Sequence, residues 1–233
     1  MIDRMRIVSW NCNGAFRRKF DRIGTLNADV YVIQECENPA TAASAEYRDW
    51  AEHYVWAGKS DPKGVGIFVK NGLSVQALDW PNYGLEQFMP VRIADRINLL
   101  AVWTKNNAKM AYIGQFYQYL QHHSALLDPS VIICGDFNSN AIWDKRGRVW
   151  NHTECVSALS NLGFDSLYHL TMDEKQGLET EPTFYLQRNM AKAYHIDYFF
   201  AHASAYRATP KIVVGKAAEW LSISDHMPVT LTI

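Results

Sequence analysis

Two short stretches constrain this chain more than any others: IVSWNCNG at 7–14 and IICGDFNSN at 132–140. Each runs from β-branched and apolar residues straight into alternating asparagines. Such an apolar run reads as a buried strand. Two strands that end alike, one in each half of a domain, converge on a shared edge. Asn11 and Asn13 would then sit near Asp136, Asn138 and Asn140. The same letters also make ordinary turns, so the pair has to be weighed against the rest of the chain.

Three further apolar runs carry polar residues at their ends: Glu35 after ADVYVIQ, His195 and Asp197 in YHIDYFF, and Asp225 and His226 in ISDHMPV. Taken singly, each has a plain explanation as a turn, a solvated acid, a structural ion pair or a core histidine. Five such ends together are hard to explain as turns. Between them the patterning predicts a strand at 5–10, a helix at 16–27, a strand at 28–35 and a helix at 40–52. A group of short strands follows up to about Trp103, then a helix at 108–127, a strand at 130–134 and a helix at 153–162. Residues 165–192 read mostly as loop, with strands at 194–201 and 227–233. No Pro-, Gly- or Ser-rich linker interrupts this order, so 1–233 reads as one mixed α/β domain with two packed sheets.

The composition is that of a globular protein, 48% hydrophobic and 20% charged, with no apolar stretch long enough to span a membrane. The N-terminus shows no secretory signal. The four cysteines are scattered without a C-x-x-C pair, which suggests free thiols, a cytoplasmic location and no zinc site. A net charge of −1 argues against broad electrostatic capture of nucleic acid but not against a local basic groove. Nothing points to an obligate protein partner.

The polar strand ends form a coherent donor set. Glu35, Asp136 and Asp225, with amide oxygens from Asn11 and Asn138, are hard oxygen ligands suited to Mg²⁺ or Mn²⁺. Asp197 and His226 suit a carboxylate–imidazole pair, the acid orienting the ring. A hard divalent ion, such a pair and spare carboxylates describe metal-assisted hydrolysis of a phosphate ester.

SWNCNG, IQE, GDFNSN, HIDYFF and SDHMPV, in this order from Trp10 to Val229, resemble the signature segments of the endonuclease/exonuclease/phosphatase superfamily, of the exonuclease III, apurinic endonuclease and deoxyribonuclease I type. The resemblance implies a four-layer α/β/β/α sandwich with the site at one edge of the paired sheets. It implies Glu35 as principal metal ligand, helped by Asn11 and Asp225. Asp136 would position or deprotonate the attacking water, and Asn138 would hold that water or a phosphate oxygen. His226, paired with Asp197, would contact the scissile phosphate, and Asn13 matches a second polar residue of the first motif. Many members place a Tyr or His on the phosphate where this chain reads LLAVWTKNN, so Trp103, Thr104 or Lys105 would make that contact here.

The substrate class is less legible. The chain is near the minimal size for this architecture, and it lacks long insertions of the kind that would cap a lipid or inositol site. That favours a nuclease acting on DNA or RNA, with a phosphomonoesterase of a small metabolite or lipid headgroup as the alternative. The loop WDKRGRVWNH (143–152) follows GDFNSN and sets Arg146 and Arg148 between tryptophans, as a strand clamp or as ordinary surface. His195 is a further substrate-contact candidate.

Overall fold

The computed structural model describes residues 4–106, 110–206 and 209–233. In chain order, β1 (Arg6–Asn11) and β2 (Val30–Cys36) pair in parallel, and the hairpin of β3 (Tyr54–Ser60) and β4 (Lys63–Val69) joins β2 antiparallel. Next come β5 (Val75–Ala77), β6 (Phe88–Ile93) and β7 (Ile97–Trp103). The last of these lies parallel to β8 (Val131–Asp136). β9 (Phe164–Ser166), the two-stranded ribbon of β10 (Phe184–Tyr185) and β11 (Ala193–Tyr194), β12 (Asp197–His202), β13 (Lys211–Val214) and β14 (Val229–Thr232) complete the strands. They form two six-stranded sheets, ordered β13-β14-β1-β2-β4-β3 and β5-β6-β7-β8-β12-β9.

Alternation along each strand builds the layers, because successive side chains leave a strand on opposite faces. From β7 and β8, Leu99, Ala101, Trp103, Ile132 and Cys134 enter the core that the two sheets share. Leu100, Val102, Val131 and Ile133 point the other way, against α3 (Ile113–His123) and α4 (His152–Asn161). The outer face of the first sheet is covered by α1 (Phe20–Gly24), α2 (Ala45–Trp50) and an aromatic group around Phe16, Tyr47, Trp50 and Phe68. The result is an α/β/β/α sandwich. Among the described residues no helix is long and apolar enough to cross a membrane.

Several elements differ from the sequence-based expectation. The 16–27 helix is a 3₁₀ turn at Phe16–Arg18 followed by the five-residue α1, broken at Lys19 with φ −134°. There the Lys19 ammonium reaches back to the Cys12 carbonyl at 2.5 Å. The 40–52 helix starts only at Ala45, where the Ser44 hydroxyl accepts the Tyr47 N–H. The 108–127 helix spans 113–123 with a 3₁₀ turn after it, and 107–109 lie outside the described residues. The expected loop at 165–192 contains α5 (Leu167–Met172), and α6 (Ala217–Trp220) follows β13.

Candidate active site

The two echoing strands meet across the sandwich. The Asn11 amide nitrogen at the end of β1 donates to the Asp136 carboxylate at the end of β8 over 2.9 Å, and lies 3.4 Å from Glu35 Oε1 at the end of β2. Asn11 Oδ1 in turn accepts the Asn13 N–H. Asn13, Glu35 and Asn138 all have positive φ, of 53°, 62° and 46°. Glu35 does so at a register shift in the β2–β4 pairing. Left-handed backbone is costly for residues with a Cβ and gathers at functional sites.

Asp136 is fully buried and held by three N–H groups, from the Asn11 amide and from the backbone and amide of Asn138. Burial, aided by the neighbouring Asp197 charge, pushes its carboxyl up to about 7 despite the pull of His226. His226 Nδ1 faces the Asp197 carboxylate at 3.0 Å, and its Nε2 lies 3.9 Å from Asp136. Burial disfavours the imidazolium, but the two carboxylates outweigh it and raise His226 to about 9. The ring is therefore a cation set between two acids. Ligating atoms of Asp136, Asp197 and His226 lie within 4.8 Å of one another.

Residues that the sequence did not single out hold this group in place. The Thr183 hydroxyl accepts the N–H groups of Ile196 and Asp197 and so fixes the start of β12. Ser224 donates to the Asn11 carbonyl and accepts the His226 N–H, tying the histidine to β1. Trp10 donates to the His226 carbonyl. Lys63, at the start of β4, pairs with Glu35 Oε2. The aromatic and β-branched EPTFY run, read as loop, is the local signal that could have found Thr183. The Lys63–Glu35 pair has no local sequence signal.

Other candidates are placed differently from expectation. Trp103 is 3% exposed, and its ring lies in the core between the sheets with the Lys105 ammonium over it at 3.4 Å. It therefore holds Lys105 rather than offering a donor to a phosphate. Thr104 is also buried, its hydroxyl donating to the Phe137 carbonyl. His195 is buried in a ring cluster with Tyr168 and Tyr198, its Nδ1 on the Glu181 carbonyl. That packing takes it out of the substrate-contact set. Arg148 stacks on Trp150 at 4.4 Å and bonds Asn151 and the Trp143 carbonyl, so it shapes its loop. Arg146 is exposed on a shallow face with Asp144 and Glu154. Asp225 is half-buried, and its charge is felt by both His226 and Lys19.

A family model described as Endonuclease/Exonuclease/phosphatase family matches residues 8–226. The chain belongs to this family. Solved structures of the same fold include the 3′ phosphatase NExo from Neisseria bound to a product DNA hairpin, at 18% identity and a TM-score of 0.66, covering 97% of this chain and 98% of that one. An AP endonuclease from Archaeoglobus fulgidus matches at 18% identity and a TM-score of 0.67, with coverage of 97% and 98%. Humanized D. rerio TDP2 matches at 17% identity and a TM-score of 0.65, with coverage of 99% and 98%. No curated protein matches the sequence.

As an endonuclease/exonuclease/phosphatase family member, the chain is a hydrolase of phosphate esters. Enzymes of this family generally depend on a divalent metal, and the buried acidic and histidine cluster is in keeping with that. The edge around Glu35 fits such an ion. Its oxygen donors are the carboxylates of Glu35 and Asp136, bridged by the Asn11 amide nitrogen, and the Lys63 ammonium meets the other Glu35 oxygen. Positive charge and N–H donors thus stand where a cation would act.

Proposed function

We propose that this enzyme is a Mg²⁺-dependent nuclease, with Mn²⁺ as a substitute, that hydrolyses phosphodiester bonds of DNA or RNA. The observation that carries this reading is a cleft of about 380 Å³ beside Asn138, walled by Trp143, Trp150, Phe184 and Ile196 with Lys145 and Arg148 at its rim. The Phe184 ring centre is 4.6 Å from that of His226. An aromatic slot next to a phosphate-cleaving group suits a base or sugar, and a stacked base contributes about 1–3 kcal/mol.

Glu35 would hold the metal, with Asn11 and Asp225. When bound, the ion supplies Lewis-acid polarisation of a phosphate oxygen. The Asp136 carboxylate, raised to about 7, suits a base that takes a proton from the attacking water near neutral pH. Asn138 keeps Asp136 oriented through two bonds to its two oxygens. Asp197 fixes the His226 ring, which stays protonated and places its charge beside the phosphate as negative charge develops there. The Neisseria neighbour, a 3′ phosphatase bound to DNA, favours a second reading, a phosphomonoesterase acting at strand ends.

The test is incubation with Mg²⁺ and with EDTA over DNA, RNA and phosphomonoester substrates. Shortened strands that need Mg²⁺ support the nuclease. Release of inorganic phosphate without strand shortening supports the second reading. Full activity in EDTA refutes the metal assignment.

A further inference from the structure

Next to the catalytic edge, on the side of β3, β4 and β7, lies a groove of about 570 Å³ lined by Lys59, Lys63 and Lys105 with Glu86, Gln87 and Gln115. It opens onto the centre itself, because Lys63 is the residue paired with Glu35. Lys105 is held over the Trp103 ring, and Lys59 is tethered to Glu86 at 2.8 Å. The three ammoniums are close enough to interact. Burial lowers the Lys105 pKa first, Glu35 opposes that, and the charges of Lys63 and Lys59 lower it further. Glu86 answers only one of them. Glu35 answers a second, but Glu35 is also the residue expected to take the metal. A cation there would leave Lys63 without its acid and the groove with a larger positive excess. Such a groove binds an anion, and phosphate is the one at hand.

We infer that the groove of Lys59, Lys63 and Lys105 is a second phosphate subsite, which holds a non-scissile phosphate of the substrate while the scissile one sits at His226 and Asp136. The aromatic cleft and the lysine groove then flank the centre, and a ligand with two phosphates spans both. The inference rests on the nuclease reading only for the identity of that ligand as a strand. Phosphates carried by lysine contribute affinity without sequence preference.

The experiment compares the wild type with the Lys59→Gln/Lys105→Gln double variant and with Lys59→Arg/Lys105→Arg, which keeps the charge. Lys59 is largely exposed and Lys63 is left in place, so the Glu35 pair is untouched. One probe is a labelled single-stranded octanucleotide titrated across a salt series in EDTA. A lost phosphate contact on a single strand lowers the salt slope by about 0.7, and the groove holds one phosphate, so the Gln variant should lose about 0.7 in slope and about fivefold in affinity at 0.1 M salt. The Arg variant should keep both. The other probes are a nucleoside 3′,5′-bisphosphate and the matching 5′-monophosphate. The wild type should prefer the bisphosphate, and the Gln variant should not. An unchanged slope together with an unchanged bisphosphate preference overturns the subsite, even if strands are still cut. A lost preference in an enzyme that cuts no strand keeps the subsite and refutes the nuclease.

Discussion

Gly135 offers a sharp test of how the fold seats Asp136. It precedes Asp136 in β8, with φ at +144°, and pairs with Val102 of the parallel strand β7. A Cβ added there would lie 1.9 Å from the Val102 carbonyl oxygen, about 1.5 Å short of ordinary contact. Gly135→Ala therefore incurs two costs. Forcing the strands apart costs about 1–3 kcal/mol, and the backbone conformation costs about 1–3 kcal/mol for a residue with a side chain. The loss of about 2–6 kcal/mol is a large share of a typical domain stability and lowers the urea midpoint by about 1–2 M. The strain also falls on the bonds that seat Asp136, from the Thr104 N–H to its carbonyl at 3.0 Å and from Asn11 to its carboxylate. A displacement of about 1 Å there slows catalysis about 10²-fold. Gly72 is the internal control. Its φ is +72° with open space around it, so Gly72→Ala costs only about 1–2 kcal/mol and leaves turnover intact. Urea denaturation and kcat are measured on both variants. If Gly135→Ala matches Gly72→Ala in midpoint and in kcat, the close strand contact does not seat the acid.

Asp136→Asn and His226→Ala should each lower kcat by about 10³-fold while KM stays within a few-fold; an unchanged kcat with a raised KM refutes the assigned roles. Glu35→Gln should weaken Mg²⁺ binding by calorimetry at least tenfold, and near-normal affinity shows that another residue holds the ion. Burial lowers His152 to about 4, so the unfolded chain takes up its proton first as pH falls below 6.5. Stability from its neutral form is complete above pH 6.5 and is lost on the way to pH 4, by about 3 kcal/mol. His152→Gln should flatten the fall in urea midpoint between pH 7.5 and pH 4.5, and an equally steep fall in both proteins sinks the argument.

The gathering of the candidate site was legible because its parts sit at strand ends, where alternation stops and a polar residue has no core to enter. Asn11, Glu35, Asp136, Asp197 and His226 could be chosen that way. What joins them was not legible, since the Lys63–Glu35 and Ser224–Asn11 contacts are 28 and 213 residues apart in the chain. His195 shows the limit of reading polar strand ends. It stands two residues from Asp197, but regular pairing begins only at Asp197, and the Glu181 carbonyl draws its ring into a buried cluster. Helix lengths were overread where local bonds intervened, as at Lys19 and Ser44. The strand β13 alternates exposed and buried residues in KIVV, but at four residues it fell between the HIDYFF and SDHMPV motifs and was not read as a strand.

The strand order sets when the His226 cluster can form during synthesis. β14 lies between β13 and β1, and the histidine that completes the centre comes just before it. A ribosome that has released everything up to residue 220 has made a chain with both echoing strands, Glu35 and the buried aspartates. That chain lacks His226, and β1 still has an open edge. Pairing across more than 200 residues is among the slow steps of folding, so the cluster of Asp136, Asp197 and His226 closes only after β14 has paired with β1.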